Sequence, residues 1–157
     1  MKLLTMIHLL PTESQTAALD RTIVRVNEAS QYVSDVVWSG ATCRCDIKLK
    51  YAGGADGVRV IARVADLYKL NPHTPHLISL YAGITYDSRI ISILPKKSTV
   101  SIWTLDGRQT VRFVASARSY ELLESFFGDP DLVKSGDHYI LSLPCLVENI
   151  LPGDIWF

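Results

Sequence analysis

YAGITYDSRIISILPKKSTVSIWTLDGRQTVRFV, residues Tyr81 to Val114, is the stretch that decides the fold class of this chain of 157 residues. Short runs rich in Ile, Val, Thr and Tyr are interrupted by Tyr86-Asp87-Ser88, by Pro95-Lys96-Lys97 and by Asp106-Gly107, which is the punctuation of a meander of antiparallel strands. Asp106-Gly107 predicts a type I′ turn, since that turn needs positive φ at both central residues, which Asp tolerates and Gly adopts without steric cost. Val100, Ile102 and Thr104 then share one face, while Ser101, Trp103 and Leu105 share the other. Apolar residues on both faces predict a sheet covered on both sides or closed into a small barrel.

Working upstream, Lys2 to Leu10 alternates, with Leu3, Thr5, Ile7 and Leu9 on one side and Lys2, Leu4, Met6 and His8 on the other, as a strand does. Pro11 ends it. Thr12 is positioned as an N-cap, with Glu13 in the first turn and Gln15 at the capping-box position, so a helix begins here. Leu19, Ile23, Val26, Ser30, Val33 and Val37 continue it as a stripe down one face. Arg21, Arg25, Asn27, Glu28 and Asp35 lie off that stripe, on the face left for solvent or a partner. Gly53, Gly54 and Gly57 break the period, and Ala55 to Leu70 recovers a helical pattern that Asn71-Pro72 stops.

Downstream, Gln109 to Ala115 is the partner strand of the Asp-Gly hairpin. Ser119 to Phe126 reads as a short helix ended by Gly128-Asp129-Pro130. Asp131 to Lys134 and His138 to Val147 pair across Ser135-Gly136-Asp137. The order is therefore one strand, then helices, then strands, an α+β pattern in which the helices are inserted after the first strand of a sheet.

Composition narrows the function classes. With 48% hydrophobic and 20% charged residues the chain forms a packed core rather than a disordered tail. Three cysteines suit a reducing compartment, no apolar run reaches the roughly 18 residues of a membrane span, and the start MKLLTMIHLLP reads as a strand rather than a signal peptide. A cytoplasmic location is the expectation. The formal net charge of +0 means that any binding to nucleic acid must rest on local basic patches.

Chemistry-bearing residues are few. Cys43 and Cys45 have the wrong spacing for a zinc knuckle, Cys145 reads as core, and His73 and His76 lack further ligands in the sequence around them. No Gly-rich phosphate loop, Gly-x-Ser-x-Gly elbow or His-Glu-x-x-His is present. Arg59 and Arg63, one helical turn apart, could grip phosphates together with Lys69, or could pair with Asp56 and Asp66 on a solvated face. Lys96 and Lys97 mark a hairpin tip. Tyr32, Tyr86 and Trp103 could stack on bases, but such aromatics more often belong to the core.

PTESQTAALDRTIVRVNEASQYVSDVVW, RVIARVADLYK, GITYDSRIISI, VSIWTLDGRQTVRFV and DLVKSGDHYILSLPCLVE occur in an order that resembles the amino-terminal part of the TnpB family, from Lys2 to about Val147. TnpB is the RNA-guided endonuclease of bacterial insertion sequences and is similar to compact type V CRISPR effectors. The resemblance implies an oligonucleotide-binding-like antiparallel β-barrel, the wedge domain, over residues 1–10 and 77–149. It further implies a helical recognition lobe over 11–76 and the beginning of a RuvC-like domain over 150–157. It also implies a guide RNA as partner, with target-flanking DNA beside it, while base pairing reads the sequence. The residues expected to carry the binding are Arg59, Arg63, Lys69, Lys96, Lys97 and Arg108.

The same resemblance places Asp154, in Leu151-Pro152-Gly153-Asp154-Ile155, where the first nuclease carboxylate stands in the family. Two-metal hydrolysis needs several carboxylates around both ions, so the expectation is a truncated member that binds RNA without cutting. Magnesium and zinc are expected only for the nuclease domain. A second expectation, suggested by the neutral charge and by Ile155-Trp156-Phe157, is an interaction module that pairs with a separately encoded nuclease half or self-associates.

Overall fold

A computed structural model describes residues 2–38, 69–70 and 77–146. Strand β1 (Lys2–Leu10) leads into helix α1 (Glu13–Trp38). After it come β2 (Ile84–Thr85), β3 (Ile91–Leu94), β4 (Thr99–Thr104) and β5 (Gly107–Val114). Helix α2 (Ala117–Leu123), β6 (Asp131–Ser135) and β7 (His138–Leu146) complete the described chain. All strands join one antiparallel sheet in the order β2-β6-β7-β1-β5-β4-β3. The first strand in sequence is thus the middle strand in space.

The sheet is a curled half-barrel, and its topology supplies the reason. β2 and β3 are the two outer strands of the sheet, yet only Tyr86 to Ile90 separate them in the chain. So short a connector spans at most about 20 Å, far less than a flat sheet of this many strands would require. Tyr86 ties the closure: its N–H bonds Pro130 O on the β6 side at 2.8 Å, and its hydroxyl donates to Trp103 O on β4 at 2.9 Å. The ring is fully buried, and that burial pushes its hydroxyl well above the ordinary tyrosine range. The connector is further held by Asp129 Oδ1, which accepts from Ser88 N at 3.0 Å, and by the Arg89–Asp87 pair.

This arrangement corrects one sequence expectation. Tyr86-Asp87-Ser88 does not turn one strand back on its neighbour; it carries the chain from one side of the sheet to the other, so the meander proper is β3-β4-β5. Tyr86 is core and cannot stack on a base.

The concave face holds the core. Alternation puts Thr5, Ile7 and Leu9 of β1, Val100, Ile102 and Thr104 of β4, Val111 and Phe113 of β5, and Leu141, Leu143 and Cys145 of β7 inside. Helix α1 fills that concavity with Leu19, Ile23, Val26 and Val33, each fully buried aliphatic side chain contributing roughly 1.5–3 kcal/mol. The expected stripe is therefore buried as far as Val33; the side chain of Val37 lies outside the described residues. The capping box forms in both directions, Gln15 N to Thr12 Oγ1 at 3.3 Å and Thr12 N to Gln15 Oε1 at 3.0 Å. α2 begins at Ala117, two residues before the expected start, because Ser116 accepts from Ser119 N and caps it. It ends at Leu123, and Phe126 and Phe127 join the β7 side instead, through the Phe126–Cys145 bridge and Phe127 N to Pro144 O at 3.0 Å.

Asn27, expected on the solvent side of α1, is fully buried. Its Nδ2 donates to Leu80 O and Ala82 O, both at 2.9 Å, which fixes the approach of the chain to β2. The β4–β5 turn also differs from expectation. Gly107 has φ +99, but Ser98 is the only described non-glycine residue with positive φ, so Asp106 stays in the ordinary range. A type I turn followed by a left-handed glycine satisfies that pattern; type I′ does not. The tip is docked on α1 by the Arg21–Asp106 ion pair and by Leu105 N donating to Thr22 Oγ1 at 3.1 Å. Gly136 has φ +59 at the first position of the β6–β7 turn, the type II′ pattern. Among the described residues no helix is long and apolar enough to cross a membrane.

Candidate nucleic-acid interface

Period-two alternation buries Val111 and Phe113, which turns Arg108, Thr110 and Arg112 of β5 to the convex face. The register sets Arg108 opposite Trp103, Thr110 opposite Ser101, and Arg112 opposite Thr99 on β4. Arg108 and Arg112 are thus about 14 Å apart along one strand, with the Thr110 hydroxyl on the line between them and that of Ser101 beside it, while the Thr99 hydroxyl is buried. Lys96 and Lys97 occupy the short turn between β3 and β4, next to Thr99, where they line the cleft beside β3. Ser98 closes that turn in the left-handed region, with φ 49, and its hydroxyl bonds Tyr120 Oη at 2.7 Å. The lysine turn is therefore anchored to α2.

Arg108 is held in place without being neutralised. Its Nη1 donates to Ser101 Oγ at 3.0 Å and reaches Ser101 O at 3.4 Å, leaving the rest of the five-donor guanidinium fork for a ligand. Ion pairing separates the basic residues into two groups. Arg21, Arg25, Arg89, Arg118 and Lys134 each sit beside a carboxylate, of Asp106, Glu28, Asp87, Glu121 and Asp20 respectively. Lys96, Lys97, Arg108 and Arg112 have no carboxylate partner among the described residues. Trp103, half-buried and next to Arg108, is the aromatic of this surface.

Of the six residues expected to bind, Arg108 lies on β5 opposite Trp103, and Lys96 and Lys97 lie on the turn between β3 and β4. Lys69 is exposed and helical, and no hydrogen bond or ion pair among the described residues ties it to the sheet. Arg59, Arg63 and Asp154 lie outside the described residues, as do Cys43, Cys45, His73 and His76. Tyr32 is half-buried on α1, and Cys145 is buried in the core as expected. Arg112 joins the surface without a sequence signal of its own, since it sits between Val111 and Phe113 like any outward strand residue. Among the described residues no group of three or more His, Cys, Asp or Glu side chains could hold a metal ion.

No protein-family model matches this chain, and no curated protein matches it. The functional reading therefore stands on the surface chemistry and on the sequence resemblance.

A second cation site shows what pairing does here. Lys134 Nζ donates to Asp20 Oδ1 at 3.0 Å, lies 4.9 Å from the centre of the Tyr81 ring, and is joined at Asp20 by the Tyr139 hydroxyl. The hydrogen bond to Asp20 raises the Lys134 ammonium above its usual range. Burial, and then the same carboxylate, push the Tyr139 hydroxyl up to about 12. This cluster joins β6 and β7 to α1 and leaves no donor array for a phosphate.

Proposed function

We propose that this chain binds a structured RNA along the convex face of β4 and β5, as the wedge part of a TnpB-like protein does. In this reading the open half-barrel is an oligonucleotide-binding-like barrel, and the role is to hold a guide RNA rather than to cut. The observation that carries it is the line Lys96-Lys97, Arg112, Arg108, whose cations have no carboxylate partner among the described residues and stand beside a half-buried tryptophan. Arginine forks match phosphate oxygens, hydroxyls add neutral hydrogen bonds, and an aromatic ring offers a base a stacking surface. Such a local line is what a chain of zero net charge needs in order to bind a polyanion. Target-flanking DNA would use the same phosphate contacts, while magnesium and zinc have no part in them.

The test is a gel shift with RNA from the adjacent end of the insertion element, at several salt concentrations and against an unrelated RNA. Preferential binding that weakens steeply with salt is expected. Equal or absent binding at low salt rejects the reading.

A second reading has its own observation. Leu4 is 69% exposed and Met6 56% exposed, and around them Leu10, Val114, Val133 and Leu146 are exposed on the same side of the sheet. A protein partner, a separately encoded nuclease half or a second copy, would cover such a surface. Sedimentation of the nucleic-acid-free chain, alone and with the candidate half, decides it.

A further inference from the structure

β3 is an outer strand of the sheet and pairs with β4 alone. Its other side opens onto a cleft of about 720 Å³, within the ordinary size range of ligand pockets. β3, with Ile91, Ile93 and Leu94, lines it together with Leu123 and Phe126, and Lys96 and Lys97 of the following turn stand at one end. Along this side, the β3 N–H and C=O groups that point away from β4 have no strand partner among the described residues. Backbone groups in an apolar surround are costly to leave without hydrogen bonds, and an open strand is a template for another.

We propose that this cleft receives an extended apolar segment of a partner protein, added to β3 as one more strand, with an acidic residue at the end that meets Lys96 and Lys97. The backbone of β3 supplies the ladder of hydrogen bonds, and the apolar lining takes the alternate side chains of the incoming strand. Charge sets the direction: the lysines have no carboxylate partner among the described residues, whereas Glu124, also on the cleft, repels an acid placed beside it. A polynucleotide does not fit this lining, because phosphates would meet Leu94, Leu123 and Phe126. The site shares Lys96 and Lys97 with the proposed RNA line but otherwise differs from it, since it uses the open side of β3 and not Arg108 or Arg112.

The probe is a fluorescein-labelled peptide of alternating valine and threonine that ends in two aspartates, titrated into the full chain and followed by anisotropy. Saturable binding is expected, at least about tenfold tighter than for the same peptide ending in lysines. N-methylation of alternate peptide amides should abolish it, because it removes the ladder donors. Leu94→Asp, at an exposed position, should weaken it with unchanged circular dichroism, while Arg108→Ala should lower RNA binding and leave the peptide bound. No saturable binding overturns the proposal, as does equal affinity for both peptides or indifference to N-methylation. A dimer that the peptide dissociates also overturns it, by making a second copy the occupant.

Discussion

The convex surface of the sheet divides into two halves built by the same alternation but left with opposite chemistry. Over β4 and β5 the outward positions are Thr99, Ser101, Trp103, Arg108, Thr110, Arg112 and Val114; over β6, β7 and β1 they include the apolar Val133, Ile140, Pro144, Leu4, Met6 and Leu10 and the polar Asp131, Ser142 and His8. The inner faces of both halves are equally apolar, so core formation does not distinguish them. The contrast lies in what is exposed: the β4–β5 half carries Arg108 and Arg112, whereas the other half exposes Leu4 and Met6, and the two partners proposed above would each use one half. The two halves meet at β1 and β5, where Leu10 lies directly opposite Arg112, and His8 opposite Val114.

The largest effect should come from the residue that holds both halves on one curve. Tyr86→Ala removes a fully buried ring and should cost about 3–5 kcal/mol, read as a fall in the urea midpoint. Tyr86→Phe keeps the ring but loses the bond to Trp103 O, and should cost about 1–2 kcal/mol. A negligible loss in the alanine variant would mean that the curl does not depend on this closure, and the two halves would then have no fixed geometric relation.

Next comes the cationic half by itself. Arg108→Ala combined with Arg112→Ala should weaken RNA binding about tenfold to a hundredfold at low salt and flatten the plot of log affinity against log salt by about two. Thermal stability should hardly move, because neither guanidinium has an ion-pair partner to lose among the described residues. The pair of lysine substitutions Leu4→Lys and Met6→Lys serves as the contrasting control. If those alter RNA binding as strongly as the arginine changes do, the proposed division of the surface is wrong.

A smaller effect separates paired from unpaired cations. In the folded chain the Tyr139 hydroxyl is pushed up to about 12 by burial and by Asp20, against about 10 in an unfolded chain. The folded state therefore holds this proton more tightly, and the stability from it is complete below about pH 10 and lost as pH rises from about 10 to about 12. Lys134, also raised, adds loss in the same direction. Urea midpoints measured across that window should fall more steeply for the natural chain than for Tyr139→Phe. Equal slopes would remove the Asp20 cluster as the anchor of β6 and β7 on α1.

What could be read in the sequence was whatever local chemistry determines. Thr12 and Gln15 announce α1 because the capping box closes within one turn, and β1 declares itself a strand by alternation, although Leu4 and Met6 leave its inner face to be decided by the structure. What could not be read depends on distant partners. Tyr86-Asp87-Ser88 looks alike whether the chain folds back or crosses the sheet, and only the pairing of β2 with β6 separates the two. Asn27 resembles any polar residue on a helix until Leu80 and Ala82, more than fifty positions away, present their carbonyls to it. Three of the four candidate residues were named from the sequence: Lys96 and Lys97 declare a turn by themselves and Arg108 follows the Asp106-Gly107 turn, whereas Arg112 gains meaning only from the register that sets it beside Thr99 and away from acids.

The smallest stability change is expected in the apolar half, and its smallness is informative. Leu4 and Met6 are large side chains at the centre of the molecule's longest strand pairing, the place where a sequence-based reading would expect burial on both faces. If the convex side is free in the isolated chain, Leu4→Lys and Met6→Lys remove little buried area, and the folding free energy should stay within about 0.5 kcal/mol. Covered by a partner, the same residues would lose apolar contact and bury an ammonium, so affinity for that partner should fall steeply while the fold survives. Unfolding curves and partner titration on one pair of variants therefore measure separate quantities. A large loss of stability in the isolated chain would place this half in a core of the chain's own making, and the surface would then offer a partner only its cationic side.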